Sequence, residues 1–268
     1  MKPVTLVTGA SSGVGRAAAI ALAARGHRVF GTSRSPSGDD GPVEMLSLDV
    51  RDDASVAACV AAVTGAAGRL DVLVNNAGYE QAGALEELSL EEARAQFETN
   101  FFGVVRMVKA VLPHMRGQRS GRIINVSSLA GLTPIPFMGI YSASKFALDG
   151  YTEALRLEVR PLGIHVSQVE PGFLRTPMTG NRKAPARTIA DYDRWRERAF
   201  AAIREYEEKG PGAELVADTI VKIATSGRPR LRYLVGGQAR FVATLRRFAP
   251  EGAFERGSRS TFKLDREP

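Results

Sequence analysis

Residues 4–15 read Val-Thr-Leu-Val-Thr-Gly-Ala-Ser-Ser-Gly-Val-Gly, and this stretch decides the fold. Residues 4–8 are β-branched and apolar, as a strand covered on both faces requires. Glycines at 9, 13 and 15 follow, and an Ala-rich run then predicts a helix from about Gly13 to Arg25. A strand that turns through glycines into a helix brings backbone N–H groups and a positive dipole end to one point, which suits an anion. The spacing is Gly-x-x-x-Gly-x-Gly rather than the commoner Gly-x-Gly-x-x-Gly. Its place directly after the first strand points to a dinucleotide pyrophosphate, with Gly9, Ser11, Ser12, Gly13, Val14 and Gly15 against it. A tight strand-to-helix turn that binds nothing is the plainer alternative.

Outward from this turn the chain alternates. Strands are predicted at 28–33, 44–50, 70–76, 122–127, 165–170 and 231–235. Helices are predicted from Asp52 to about Ala67, from about Ser89 to Met115 and from about Ile140 to Pro161. Repeated strand–helix–strand units imply parallel pairing and right-handed crossovers. The expected fold is α/β: a single doubly wound, Rossmann-type parallel sheet of about seven strands with helices on both faces. It should form one domain over residues 1–249. Within it, residues 176–210 are polar and carry Tyr192, Trp195, Phe200 and Tyr206, which predicts an insertion covering a substrate at the ligand-bearing edge. Packing of those aromatics on the surface is the alternative. Residues 250–268 are Gly- and charge-rich and are expected to form a mobile tail.

The 268 residues are 44% hydrophobic and 24% charged, ordinary for a globule with a sizeable core. Only a four-residue apolar run precedes Gly9, which predicts no secretory leader. A single cysteine, Cys59, excludes an internal disulfide and fits a cytoplasmic location. The net charge of +7 is concentrated in late arginines without a nucleic-acid module, so no nucleic acid is expected. His27, His114 and His165 lack metal-ligand spacing, and no metal is expected. Phe241, Leu245 and Phe248 recur at helical spacing beside arginines. That pattern can touch a membrane, but docking on its own domain is the favoured reading.

The end of the second strand should face the adenosine ribose. An acid there accepts bonds from a free 2′-hydroxyl, whereas arginine suits a 2′-phosphate. Ser33 and Arg34 occupy the position, which favours NADP(H) over NAD(H). Asp39 and Asp40 follow in the next loop and would act the other way if it folded back.

Tyr141 and Lys145 lie one helical turn apart, on one face. Lowering a phenol's pKa by three units takes about 4 kcal/mol. One cation at ~4 Å, with an effective dielectric near 20, offers roughly that much. The pair can therefore serve as a general acid/base. Ser127 and Ser128 end the fifth strand, where a hydroxyl can donate to a carbonyl oxygen beside the phenol or simply cap a turn. Asn100 lies inside a helix, where asparagine needs a reason. Asn75-Asn76-Ala77-Gly78 and Pro171-Gly172 close two strands on the same edge.

In order and approximate spacing, these residues resemble the short-chain dehydrogenase/reductase family over about residues 3–236. The resemblance implies that Tyr141 donates or accepts the proton and that Ser128, rather than Ser127, orients the carbonyl. It implies that Lys145 lowers the tyrosine pKa and binds the nicotinamide ribose, and that Asn100 holds a water in a proton relay. Asn76, Ala77, Gly78, Pro171, Gly172 and Thr176 would lie along the nicotinamide, and Asp49 and Val50 beside the adenine. The activity implied is NADP(H)-dependent hydride transfer to or from a carbonyl or secondary alcohol. Residues 127–148 look most like steroid- and retinol-type dehydrogenases and their bacterial relatives. Leu132, Ile135, Pro136, Phe137 and Met138 would then either edge an apolar substrate pocket or form a packed loop. A homodimer or homotetramer through the helices near 89–115 and 140–161 is implied as well. A non-catalytic dinucleotide-binding sensor or scaffold is the alternative, since the sheet and glycine turn would serve both.

Overall fold

A computed structural model describes residues 2–36, 41–176 and 182–265. Seven strands form one parallel sheet: β1 (Val4–Val7), β2 (Arg28–Ser33), β3 (Val43–Ser47), β4 (Val72–Asn75), β5 (Gly121–Val126), β6 (Ile164–Pro171) and β7 (Arg232–Val235). Their order is β3-β2-β1-β4-β5-β6-β7. In the sheet's centre Leu6 stands opposite Phe30 on one side and Leu73 on the other. The chain winds outward from β1 to β3, returns to place β4 against β1, and winds outward again. That reversal opens a crevice at the strands' C-terminal edge, between β1 and β4.

Alternate strand residues feed two apolar layers, as period-two geometry requires. Leu6, Leu73 and Ile123 pack with α2 (Asp53–Ala67), α4 (Gly103–Gln118) and α5 (Gly139–Val159). Val7, Val74 and Ile124 pack with α1 (Gly13–Ala24) and α7 (Ala213–Thr225), where Ala18 and Ala19 let α1 lie close. Leu6, Leu73, Val7 and Val74 are fully buried; each such side chain contributes about 1.5–3 kcal/mol. Cys59 is buried on α2. Local signals set the boundaries: Asp52 accepts the Ala54 N–H at 2.8 Å, and Ser89 with Glu92 forms a reciprocal cap on α3 (Leu90–Phe97).

Three expectations are corrected. The helix predicted from Ser89 to Met115 is interrupted: between α3 and α4 the chain makes a π-helical turn, Glu98–Phe102, in which Gly103 N–H bonds the Glu98 carbonyl five residues back. The extra residue turns Asn100 into the interior. The stretch expected as a tail is a helix, α9 (Glu251–Thr261), whose Phe254 is buried, as is Phe262 just beyond it. Sparse aromatics among glycines and charges anchor it. Finally, α8 (Gly237–Phe248) does not turn Phe241, Leu245 and Phe248 inward: they are exposed, and Ala239 makes its buried contact. No helix among the described residues is long and apolar enough to cross a membrane.

Candidate active site

A cleft of about 550 Å3 runs along the C-terminal edge of the sheet. Of the residues singled out in the sequence, Gly9, Ser11, Ser12, Gly13, Val14, Ser33, Arg34, Asp49, Val50, Asn76, Ala77, Gly78, Asn100, Ser127, Ser128, Tyr141, Lys145, Pro171, Gly172 and Thr176 all line it. Gly15 does not. A Cβ there would lie 2.2 Å from the Gly9 carbonyl oxygen, so this glycine lets α1 pack under the turn instead of meeting a ligand.

The turn itself is pinned from below. Gly9 adopts φ +67°, a conformation glycine takes without penalty. Thr8 Oγ1 accepts the N–H groups of Asn76 and Ala77 at 2.9 and 3.0 Å. Asn76 Nδ2 returns bonds to the carbonyls of Thr8 and Gly9, both at 3.0 Å. The Asn76 amide is thus spent on the scaffold, and Thr8, which the sequence reading passed over, is its partner. Further in, Asn75 donates to Asn125 and Asn125 to Thr152, each at 2.9 Å, a buried polar ladder joining β4, β5 and α5.

The residues at this end fit a dinucleotide phosphate. The N-terminus of α1 has neither a side-chain cap nor an acidic residue in its first turn, leaving its N–H groups to the cleft. Ser33 Oγ, at the end of β2, is buried without a hydrogen-bond partner. Exposed Arg34 stands beside it, and Arg51, missed in the sequence, lines the same end. Arg51 Nε binds Asp49 Oδ1 at 2.9 Å and holds that carboxyl down to about 2. Asp39 and Asp40 lie outside the described residues.

At the other end, α5 carries Tyr141 and Lys145, both buried. Lys145 Nζ donates to the Val126 carbonyl at 2.9 Å and lies 5.8 Å from the Tyr141 ring centre. The two serines part company here. Ser127 Oγ donates to the Asp149 carboxylate behind the cleft. Ser128 Oγ caps the Ala130 N–H at 3.1 Å and stands beside the phenol, drawing its pKa down. Asn100 binds the Tyr79 backbone in both directions, accepting its N–H at 3.1 Å and donating to its carbonyl at 3.0 Å.

The phenol of the free protein stands above its ordinary pKa. Burial pushes Tyr141 well above its ordinary value, and nearby Glu80 pushes it further. Burial likewise pulls Lys145 down to about 8, against the opposing pull of Asp149 and Glu80. Removal of each group from water disfavours its charged form, and the two attract one another only once the phenol becomes an anion.

The apolar wall at this end of the cleft comes from three places. Ile135 and Met138 line the cleft, whereas Leu132, Pro136 and Phe137 do not. Phe137 sits at φ +59°, rare for a bulky residue, with its carbonyl held by Gly83 N–H at 2.8 Å. From α6 (Ala190–Glu208), Ala199 and Ile203 join Ile135, Met138, Tyr141 and Phe262 in one apolar cluster. Tyr206 stacks on Phe173. Glu80, Arg182 and Glu207, also missed in the sequence, face the cleft here.

Comparison with known proteins agrees with this geometry. The profile described as short chain dehydrogenase matches residues 3–187. A 3-ketodihydrosphingosine reductase of Bacteroides thetaiotaomicron is 46% identical over 239 residues, covering 88% of this chain and 89% of the relative. Retinol dehydrogenase 8 of Bos taurus is 37% identical, over 92% of this chain and 86% of its own. A Burkholderia cenocepacia short chain dehydrogenase, solved in complex with NADP, superposes with a TM-score of 0.76 at 26% identity, over 99% of this chain and 98% of that one.

Proposed function

This chain belongs to the short-chain dehydrogenase family, and we propose that it is an NADP(H)-dependent oxidoreductase acting on a ketone of a substrate with an apolar body. The observation that carries this reading is the meeting of the Ser128 hydroxyl, the Tyr141 phenol and the Lys145 ammonium in the cleft that the glycine turn closes at its other end. A sensor of cofactor has no use for such a set.

Bound nicotinamide supplies or accepts the hydride. Tyr141 gives its proton to the carbonyl oxygen as negative charge develops there, and Ser128 donates a second hydrogen bond to the same oxygen. The buried Lys145 cation, held by Val126, stabilises the phenolate left behind. A phenol pushed upward keeps its proton at neutral pH, which suits donation and hence reduction. Asn100 positions the strand-end loop by its bonds to Tyr79 and is assigned to the proton relay behind Lys145. Arg34, with Ser33, is assigned to a 2′-phosphate, and the NADP bound by the Burkholderia relative supports the same preference.

The apolar wall of Ile135, Met138 and Phe173 favours a lipid-like body. The names of the relatives point the same way, with a keto sphingoid favoured by the 46% identity. The insertion expected over 176–210, of which 177–181 lie outside the described residues, is assigned as the cover of that body. A homo-oligomer through α4 and α5 belongs to the same reading, supported by the exposed Phe102, Phe146 and Leu157 at and near these helices, as does a cytoplasmic setting. The test is Tyr141→Phe, assayed with NADPH and a panel of long-chain ketones. Turnover should vanish while NADPH binding, read by fluorescence titration, stays within about threefold, since a lone hydroxyl remote from the phosphates is removed. Undiminished turnover refutes the assignment.

A further inference from the structure

The substrate end of the cleft holds an ionic cluster that hydride transfer does not require. Arg182 Nη2 lies 2.8 Å from Glu80 Oε2 and 2.6 Å from Glu207 Oε1. The three side chains are only 11%, 13% and 10% exposed. The second oxygen of Glu207, Oε2, is buried and has no hydrogen-bond partner, although the residue lines the cleft. Two carboxylates thus face one guanidinium.

The surrounding groups do not cancel the surplus. Lys145 answers first to Asp149 and only then to Glu80. Asp149, Glu153 and Glu170 share the single cation of Arg232. Lys183 is exposed, with its ammonium 4.5 Å above the Tyr79 ring. One carboxylate oxygen, buried and without a partner, thus remains in a side chain that lines the space where substrate must lie. Buried ionic triads are no better for stability than apolar packing, so a spare acceptor in one calls for a ligand.

Resting on the oxidoreductase reading above, we propose that Glu80, Arg182 and Glu207 form a subsite for a protonated amine on the substrate, close to its reacting carbonyl. An ammonium offers three donors and a positive charge. Glu207 Oε2 accepts one of those donors, and the charge completes the cluster. Arg182 keeps both carboxylates in place without neutralising them fully. Arg182 lies 5.7 Å over the Phe200 ring, and Phe200 packs on the cluster that holds Tyr141, which puts the amine near the carbonyl rather than at the far end of the molecule. The apolar remainder then lies along Ile135, Met138 and Phe173. Substrates bearing a carboxylate or phosphate at this position are excluded by repulsion.

Two ketones separate this proposal from its premise: a long-chain α-amino ketone and the same ketone without the amine, each assayed with NADPH. The wild type should favour the amino ketone by roughly 100-fold in kcat/KM. Glu207→Gln should remove about 30- to 100-fold for the amino ketone and under threefold for the other, in line with the loss of one buried charge pair. Glu80→Gln should act in the same direction. Independently of turnover, calorimetry on the protein with NADP+ should show a long-chain alkylamine binding at least about tenfold tighter than the alcohol of equal length; this comparison needs no variant. Equal kcat/KM for the two ketones in the wild type overturns the subsite, as does equal loss of both in Glu207→Gln. Equal binding of amine and alcohol overturns the cationic assignment. Selective amine binding without reduction of either ketone supports the subsite and overturns the oxidoreductase reading instead.

Discussion

Lys145 donates to the Val126 carbonyl across 2.9 Å, so the cation one turn from Tyr141 is tethered to the last residue of β5. It cannot swing out to water, and burial brings its pKa down to about 8. In the proposed ketone reduction this cation is needed as the phenol gives up its proton. The kcat/KM for reduction should therefore fall by about tenfold per pH unit above roughly 8, as the charged fraction falls. Lys145→Arg, whose guanidinium stays charged, should lose that break whatever activity it retains. A pH profile of both proteins checks this; an unchanged break in the variant would assign it elsewhere. Stability has the opposite slope. Between about 8 and the ordinary 10.5 the unfolded chain holds a proton that the folded one does not, so this group adds stability as pH rises through that window.

Gly15 offers a prediction about a residue that never touches the cleft. A Cβ there meets the Gly9 carbonyl oxygen at 2.2 Å and Asn76 Nδ2 at 2.4 Å, and those two groups are bonded to each other. Neither can retreat without opening the turn. Gly15→Ala should cost about 1–3 kcal/mol in urea unfolding, as overpacking does. It should also weaken NADPH at least about tenfold, each 1.4 kcal/mol being a factor of ten. Wild-type values in both measurements would show that the turn yields more easily than its bonding implies.

Arg34 bears on the choice of cofactor. Removing one charge-assisted contact to a phosphate costs about 1.5–3 kcal/mol. Arg34→Ala should raise the Kd for NADPH by roughly 10- to 100-fold and that for NADH by under threefold. Arg51 should not rescue it, because its guanidinium is engaged by Asp49. Paired fluorescence titrations decide the matter, and equal losses for the two cofactors would remove Arg34 from the 2′-phosphate.

The strands were legible because continuous β-branched runs have few other uses, and their ends fell within a few residues of the observed ones. The glycine turn and the positions of Ser128, Tyr141 and Lys145 were legible because each lies at a strand end or on one helix face. The π-turn at Glu98–Phe102 was not, since one inserted residue leaves the apolar periodicity on either side intact. Nor was α9, whose anchors are two phenylalanines among glycines and charges. Glu80 lies 102 residues before Arg182, which lies 25 before Glu207, and the three share no motif. Only the folded path of the segment after β6 brings them together. The burial that raises the phenol's pKa was not legible for a related reason: helical spacing reports a neighbour but not the water that both groups lose.

Phe262 and Leu264 pack against the group that contains Ile135, Met138 and Tyr141. A ribosome must therefore translate past Leu264 before this wall can close, long after the strands that cradle the nucleotide have emerged. A nascent chain halted after β7 would hold a finished phosphate cradle beside an open hydrophobic flank, exposed to chaperones and to other unfinished chains. Completion of the pocket thus waits until well after the last strand has been made.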